Sequence, residues 1–341
     1  MQDTRSGDRS LGMDVTRAAA CAMVVLLHIS AGNFYSFGPF WVPADIYDSL
    51  SRVAVPIFFM LSGALLLWRD EPILPFYRKR VLRVVLPLIF WTCVYVYMFG
   101  DRSVPIIDSV THYLTVPYGH LWYFYAALGL YLSAPYLGKI LRASTDTEIR
   151  VFLALWFFVA CGLNQFRNLH ATSWDPTTIF GAQMFSGYLG YFVIGAYLAR
   201  NRPVTSTAGR WYCILTFLAS STATAYLTYL YSMHIGKPSE LFFVFQAPLV
   251  AVAAVAAFAF FTSITSLPRP LATPVKLISD CSLGIYCLHP MIILFYLNHT
   301  HVGDNFHITW LRVPVLWAAI FGSTTVVIYV ARKVRLIRRV A

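Results

Sequence analysis

Leu11–Ala31 reads LGMDVTRAAACAMVVLLHISA, an apolar run of membrane-spanning length broken by Arg17 and His28. Its composition is otherwise that of a transmembrane helix. An arginine well inside such a span costs about 2.5–3.5 kcal/mol on insertion scales, so it is seldom retained without a purpose. Arg17 and His28 are eleven residues apart. At about 100° per residue that offset returns to within roughly 20° of the same face, and the rise separates the two groups by about 16 Å along it. One stripe of one helix thus presents a fixed cation near a membrane surface and a titratable base deeper in. That geometry suits a long substrate with a charged end and a reactive end.

The rest of the chain has the same character. Of 341 residues, 58% are hydrophobic and only 12% charged, which describes an integral membrane protein and not a soluble one. The expected fold is all-α: a polytopic bundle of about ten transmembrane helices forming a single domain over 1–341. The spans read as 11–31, 51–68, 81–99, 121–138, 151–166, 180–199, 211–231, 241–262, 277–297 and 312–331. In a soluble chain a net charge of +11 would raise nucleic acid as a partner. Here the lysines and arginines gather in alternate connections: Arg69 to Arg80, Lys139 to Arg150, Arg200 to Arg210, Arg269 to Lys276, and Arg332 to Arg339. The opposite connections carry only Arg52, Arg102, Arg167, Lys237 and Arg312. The positive-inside rule then places both termini in the cytoplasm, with membrane lipid and not nucleic acid as the surrounding partner.

Arg17 interrupts what would be the apolar core of a signal peptide, so the first span is expected to stay in the membrane. No lipidation signal and no repeat of fixed period is legible. Cys21, Cys93, Cys161, Cys213, Cys281 and Cys287 all fall in predicted spans and read as small packing residues, not as a disulfide or zinc framework. His112, His120, His170, His234, His299, His301 and His307 fall in or beside loops expected to face outward. Histidine is common at such interfaces. The His299/His301 pair is only a weak metal signal, and no metal site is expected. His28 and His289 instead lie within spans, where a neutral imidazole needs partners.

Four further segments carry chemistry. Phe58-Phe59-Met60-Leu61-Ser62-Gly63 lies mid-span, and its Ser-Gly pair serves close helix packing as readily as catalysis. Phe76-Tyr77-Arg78-Lys79-Arg80-Val81-Leu82-Arg83 enters the third span from the cytoplasmic side and reaches Pro87. Arg80 and Arg83 share a face there, and paired guanidinium forks suit phosphate oxygens, although topology alone also places charge at this edge. His120-Leu121-Trp122-Tyr123 opens the fourth span, either as an interfacial belt or as an aromatic platform beside an imidazole that suits a sugar ring. Ser282 to Pro290 lies in the ninth span, with Tyr286 and His289 on one face and Pro290 freeing the Tyr286 carbonyl from its helical bond.

In order and placement these motifs resemble the membrane-bound acyltransferase 3 family, whose members O-acylate bacterial glycans. The matching residues are Arg17-x10-His28 preceded by Asp14, Ser62-Gly63, Arg80 and Arg83 before Pro87, His120-Leu121-Trp122, and Tyr286-x2-His289-Pro290. In size the chain is similar to the short members of the enterobacterial-common-antigen type. Between residues 140 and 275 nothing matches residue by residue. The resemblance implies transfer of an acyl group, most simply acetyl, from cytoplasmic acyl-coenzyme A to a hydroxyl of a cell-surface glycan or polyprenyl-linked oligosaccharide, in a bacterial inner membrane. Coenzyme A would be a co-substrate and not a tightly bound cofactor. Arg80, Arg83 and Lys79 would hold its phosphates, and Arg17 and His28 would be catalytic with His28 as the base. His120, Trp122, Tyr286 and His289 would bind substrate. Direct transfer and an acyl-His28 intermediate fit equally. A transporter or flippase of a lipid-linked glycan also needs intramembrane charge and a broken helix, but no coenzyme A. A structural or receptor-like protein needs neither Arg17 nor His28.

Overall fold

The computed structural model describes residues 10–170, 175–179, 181–201, 204–300, 308–335 and 337–341. His301 and His307 lie outside these. Among the described residues there is helix and no strand. The order is α1 Leu11–Ala31, α2 Trp41–Ser51, α3 Ala54–Leu66, α4 Ile73–Phe99, α5 Ile106–Thr115, α6 Trp122–Ala143, α7 Asp146–Trp156, α8 Asn164–His170, α9 Pro176–Ile179, α10 Gln183–Ser186, α11 Leu189–Asn201, α12 Thr207–Ile235, α13 Pro248–Thr262, α14 Arg269–His299 and α15 Thr309–Ala331. A π-helical stretch, Phe157–Leu163, joins α7 to α8 without a break.

Helix falls within each of the ten predicted spans, although 241–247 of the eighth is non-helical and ten crossings are not established by it. Among the described residues, seven helical stretches are long and apolar enough to cross a bilayer: α1, α2 with α3, α4, α7 through α8, α12, α14 and α15. The shorter α11 and α13, and the more polar α6, occupy the other three positions. The second stretch begins earlier than its sequence suggested, at Trp41, because Pro43, Asp45 and Asp48 are carried inside α2.

Local signals explain the element ends. Thr145 and Glu148 form a reciprocal capping box at the start of α7, and Ser206 caps α12 through the Gly209 amide. Gly236, at φ 72°, ends α12 in a conformation that costs glycine nothing. Because lipid offers no hydrogen-bond partners, α14 runs on through Pro274 and Pro290 instead of breaking.

Small residues set the tightest helix pairs. A Cβ on Gly63 of α3 would fall on the Phe192 carbonyl of α11, and one on Gly195 of α11 would fall on the Met60 carbonyl of α3. Gly12 sits likewise against Thr262 at the end of α13. Ser62-Gly63 therefore divides its work, since Gly63 packs while Ser62 faces an internal cavity.

The basic connections meet at one end of the bundle. Arg142 donates to the carbonyls of Leu67 and Arg69, Arg210 donates to the Ser263 carbonyl at 2.9 Å, and Arg332 donates to the Asp280 carbonyl. At the other end Arg52 pairs with Glu240, and Tyr47 donates to the Trp310 carbonyl.

Candidate active site

At the basic end, α1, α3, α4, α6 and α14 enclose a cavity of about 390 Å³. Its walls include Arg17, Ser62, Arg69, Arg80, Arg83, Tyr123, Tyr131 and Tyr286. α1 contributes Arg17, held 3.4 Å from Asp14 and donating to Ser279 Oγ at 3.0 Å, while Ser279 donates to Asp14 at 2.8 Å. This three-way contact ties α1 to α14 and offsets the cost of the intramembrane charge. Arg80 is buried and pairs with Glu71 at 3.3 Å, and the Arg80 guanidinium lies 5.5 Å from the centre of the Phe76 ring. Arg83, one turn further along α4, is more open but lines the same space. Ser62 and Tyr131 share a hydrogen bond of 3.1 Å on the opposite wall. Lys79 is exposed and is not among the lining residues, and the next residue, Arg80, projects about 100° away from it around α4.

Tyr286 belongs both to the wall of this cavity and to the surroundings of a cluster of imidazoles. His28 of α1, His120 of the turn before α6 and His289 of α14 gather their rings, with His120 and His289 beside Tyr286. The ring centres are 4.9 Å apart for His28 and His289, 5.5 Å for His120 and His289, and 6.3 Å for His28 and His120. Gly119, at φ 42°, permits the turn that carries His120. The Tyr286 hydroxyl donates to the His120 carbonyl and pins that turn to α14, and the Tyr95 hydroxyl donates to the Cys287 carbonyl at 2.9 Å.

His289 Nδ1 lies 3.1 Å from the Ile285 carbonyl. A carbonyl only accepts, so Nδ1 donates here, and in the neutral imidazole Nε2 keeps its lone pair. That Nε2 and the Nε2 of His120 are both buried without a partner in the protein. Such atoms cost about 1–3 kcal/mol each unless a ligand or water satisfies them. Among the described residues no three His, Cys, Asp or Glu side chains are grouped as ligands of a metal ion.

The Acyl_transf_3 family model, an acyltransferase domain, matches residues 10–332. The chain belongs to the acyltransferase 3 family. No curated protein and no solved structure matches it. Membership decides between enzyme and transporter in favour of a membrane acyltransferase.

Within this acyltransferase, the residues singled out from sequence separate into groups. Arg17, Arg80, Arg83 and Tyr286 share the cavity, and His28, His120 and His289 cluster beyond it. Trp122, two residues after His120, packs among aromatic rings. It stacks on Tyr188 at 5.6 Å and on Phe245 at 5.9 Å, forming an aromatic wall next to the cluster. His112 and His170 stay with neighbouring aromatic rings near the loops, as ordinary interfacial histidines do.

Sequence reasoning passed over a second charged group. Asp48 is fully buried and pairs with Arg52 at 2.7 Å, and Arg52 reaches Glu240 at 3.3 Å and lies 4.5 Å from the centre of the Phe243 ring. Asp45 is buried one turn before Asp48. The i, i+4 spacing of Asp48 and Arg52 was the available signal. Glu240, Tyr188 and Phe245 lie where no motif was matched.

Proposed function

We propose that this acyltransferase is an O-acyltransferase moving an acyl group, most simply acetyl, from cytoplasmic acyl-coenzyme A to a hydroxyl of a cell-surface or lipid-linked glycan. The observation that carries the reading is the arrangement of parts: Arg17, Arg80, Arg83 and Tyr286 line one cavity, and Tyr286 packs against two of three clustered imidazoles. Guanidinium forks hold the phosphates of coenzyme A in pairs of charge-assisted bonds. The pantetheine arm extends from them past Tyr123 and Tyr286 and presents the thioester to His28.

His28 takes the proton of the acceptor hydroxyl. The hydroxyl oxygen bonds to the thioester carbon, the C–S bond breaks, and the proton passes from His28 to the departing thiolate. General-base assistance of this kind contributes about 10²–10⁴-fold. His120 and His289, with unpaired Nε2 atoms beside His28, accept hydrogen bonds from neighbouring hydroxyls of the acceptor. Trp122 supplies a face for the sugar ring. The whole chain works as one transmembrane unit of the bacterial inner membrane, with the basic end and both termini in the cytoplasm.

Mass spectrometry of surface and lipid-linked glycans from cells with the wild type, with His28→Ala, and without the protein tests this reading. An acyl ester should be present only with the wild type. Identical glycans in all three would refute it.

A further inference from the structure

We infer that Arg69, at the mouth of the arginine cavity, reads the 3′-phosphate of the donor and so sets a preference for coenzyme A over its dephospho form. The inference rests on the reading of this cavity as the donor site, and it adds a specificity-determining residue that the sequence motifs did not single out. Arg69 lines the same cavity as Arg80 and Arg83 but belongs to the connection between α3 and α4, before α4 begins at Ile73. Its side chain is 51% exposed, whereas that of Arg80 is buried. Glu71 Oε1 lies 3.5 Å from the Arg69 guanidinium and 3.3 Å from that of Arg80, so one carboxylate oxygen brings the two side by side. The backbone beneath them is fixed from α6, where Arg142 donates to the carbonyls of Leu67 and Arg69 and to the Asp70 carboxylate at 3.3 Å. Arg69 therefore stands in a set place although its side chain reaches solvent.

Charge and order both point to this assignment. Among the described residues, Glu71 is the carboxylate paired with this group, since Asp70 is taken by Arg142. Arg69, Arg80 and Arg83 against that one carboxylate leave two positive charges in excess. Arg80 Nε is also buried without a partner in the protein. A concave site of this charge draws a polyanion. Side chains on a helix slope toward its N-terminus, and the Arg80 guanidinium follows that rule, lying 5.5 Å from the centre of the Phe76 ring one turn earlier. Arg69 and Arg80 thus share the mouth, while Arg83, about 4.5 Å further along α4 by helical rise, marks the way inward. Coenzyme A is ordered in the same sense. Its thioester ends the pantetheine arm, the diphosphate lies behind that arm, and the 3′-phosphate sits on the ribose at the far end. With the thioester directed inward, Arg80 and Arg83 face the diphosphate and Arg69 faces the 3′-phosphate. That phosphomonoester carries about 1.5–2 negative charges near neutral pH, so it gains from even a half-exposed cation.

The test is equilibrium binding of acetyl-coenzyme A and of acetyl-3′-dephospho-coenzyme A to the full chain in nanodiscs. The wild type should bind the first about fivefold or more tightly than the second, and Arg69→Gln should lose that preference by weakening acetyl-coenzyme A alone. Arg69→Glu should go further and favour the dephospho form, so either variant decides the matter if the other does not fold. Arg83→Gln should weaken both donors by a similar factor and keep the preference. A merely structural role for Arg69 would weaken both donors together. Equal loss of that kind, a preference that survives Arg69→Gln, or a wild type that binds both donors equally would overturn the inference and leave the donor site standing. Binding of neither donor by the wild type would instead sink the donor-site reading, and the role of Arg69 with it.

Discussion

His28, His120 and His289 come from three distant parts of the chain, and the proposed chemistry rests on the meeting of their rings. In the neutral imidazole, donation from His289 Nδ1 to the Ile285 carbonyl leaves the lone pair on Nε2. His28→Ala should reduce acyl transfer by about 10²–10⁴-fold while leaving membrane insertion intact, because a span loses nothing by giving up a polar group. Pulse-labelled transfer assays beside a membrane-fraction immunoblot check both halves. Full transfer by a folded His28→Ala protein would remove the base from the mechanism. Tyr286 is the complementary case, since its hydroxyl holds the turn that carries His120. Tyr286→Phe should raise the acceptor KM more than the donor KM, measured by varying each substrate in turn.

At the level of helices, two contacts differ sharply in what a substitution does. A methyl on Gly63 falls on the α11 backbone, so Gly63→Ala should lower the stability of the detergent-solubilised protein by about 1–3 kcal/mol, read from its thermal unfolding. Arg52→Leu should cost about 3–5 kcal/mol in the same measurement, because it leaves the fully buried Asp48 carboxylate unpaired and releases Glu240 of the α12–α13 connection. The helices themselves were legible in the sequence, since lipid demands long apolar runs and reports them directly. Arg17, Arg80 and Arg83 were legible as a group because a charge inside an apolar run is conspicuous. What the sequence hid was long-range. Ser279 as partner of Arg17 is one ordinary serine, and Trp122 turns toward Tyr188 and Phe245 because of packing that no local pattern encodes. Lys79 shows the converse, because adjacency to Arg80 in sequence does not place it on the same face of a helix.

For the molecule as a whole, the meeting of the basic connections at one end defines a polarity, with arginine cavity below and imidazoles above. Reporter fusions after Trp68, Leu141 and Ala341 should register cytoplasm, and fusions after Phe40, Gly100 and Asn298 the outside. A single reversed loop would separate a cytoplasmic donor from the arginines. The most direct measurement is acetyl-coenzyme A affinity of the purified full chain, compared among the wild type, Arg80→Lys and Arg83→Lys. Lysine keeps the charge but loses the fork, and charge-assisted bonds are worth about 1.5–3 kcal/mol, so affinity should fall about tenfold or more in each variant. No binding by the wild type, or binding that both lysine variants retain in full, would contradict a donor seated on these arginines.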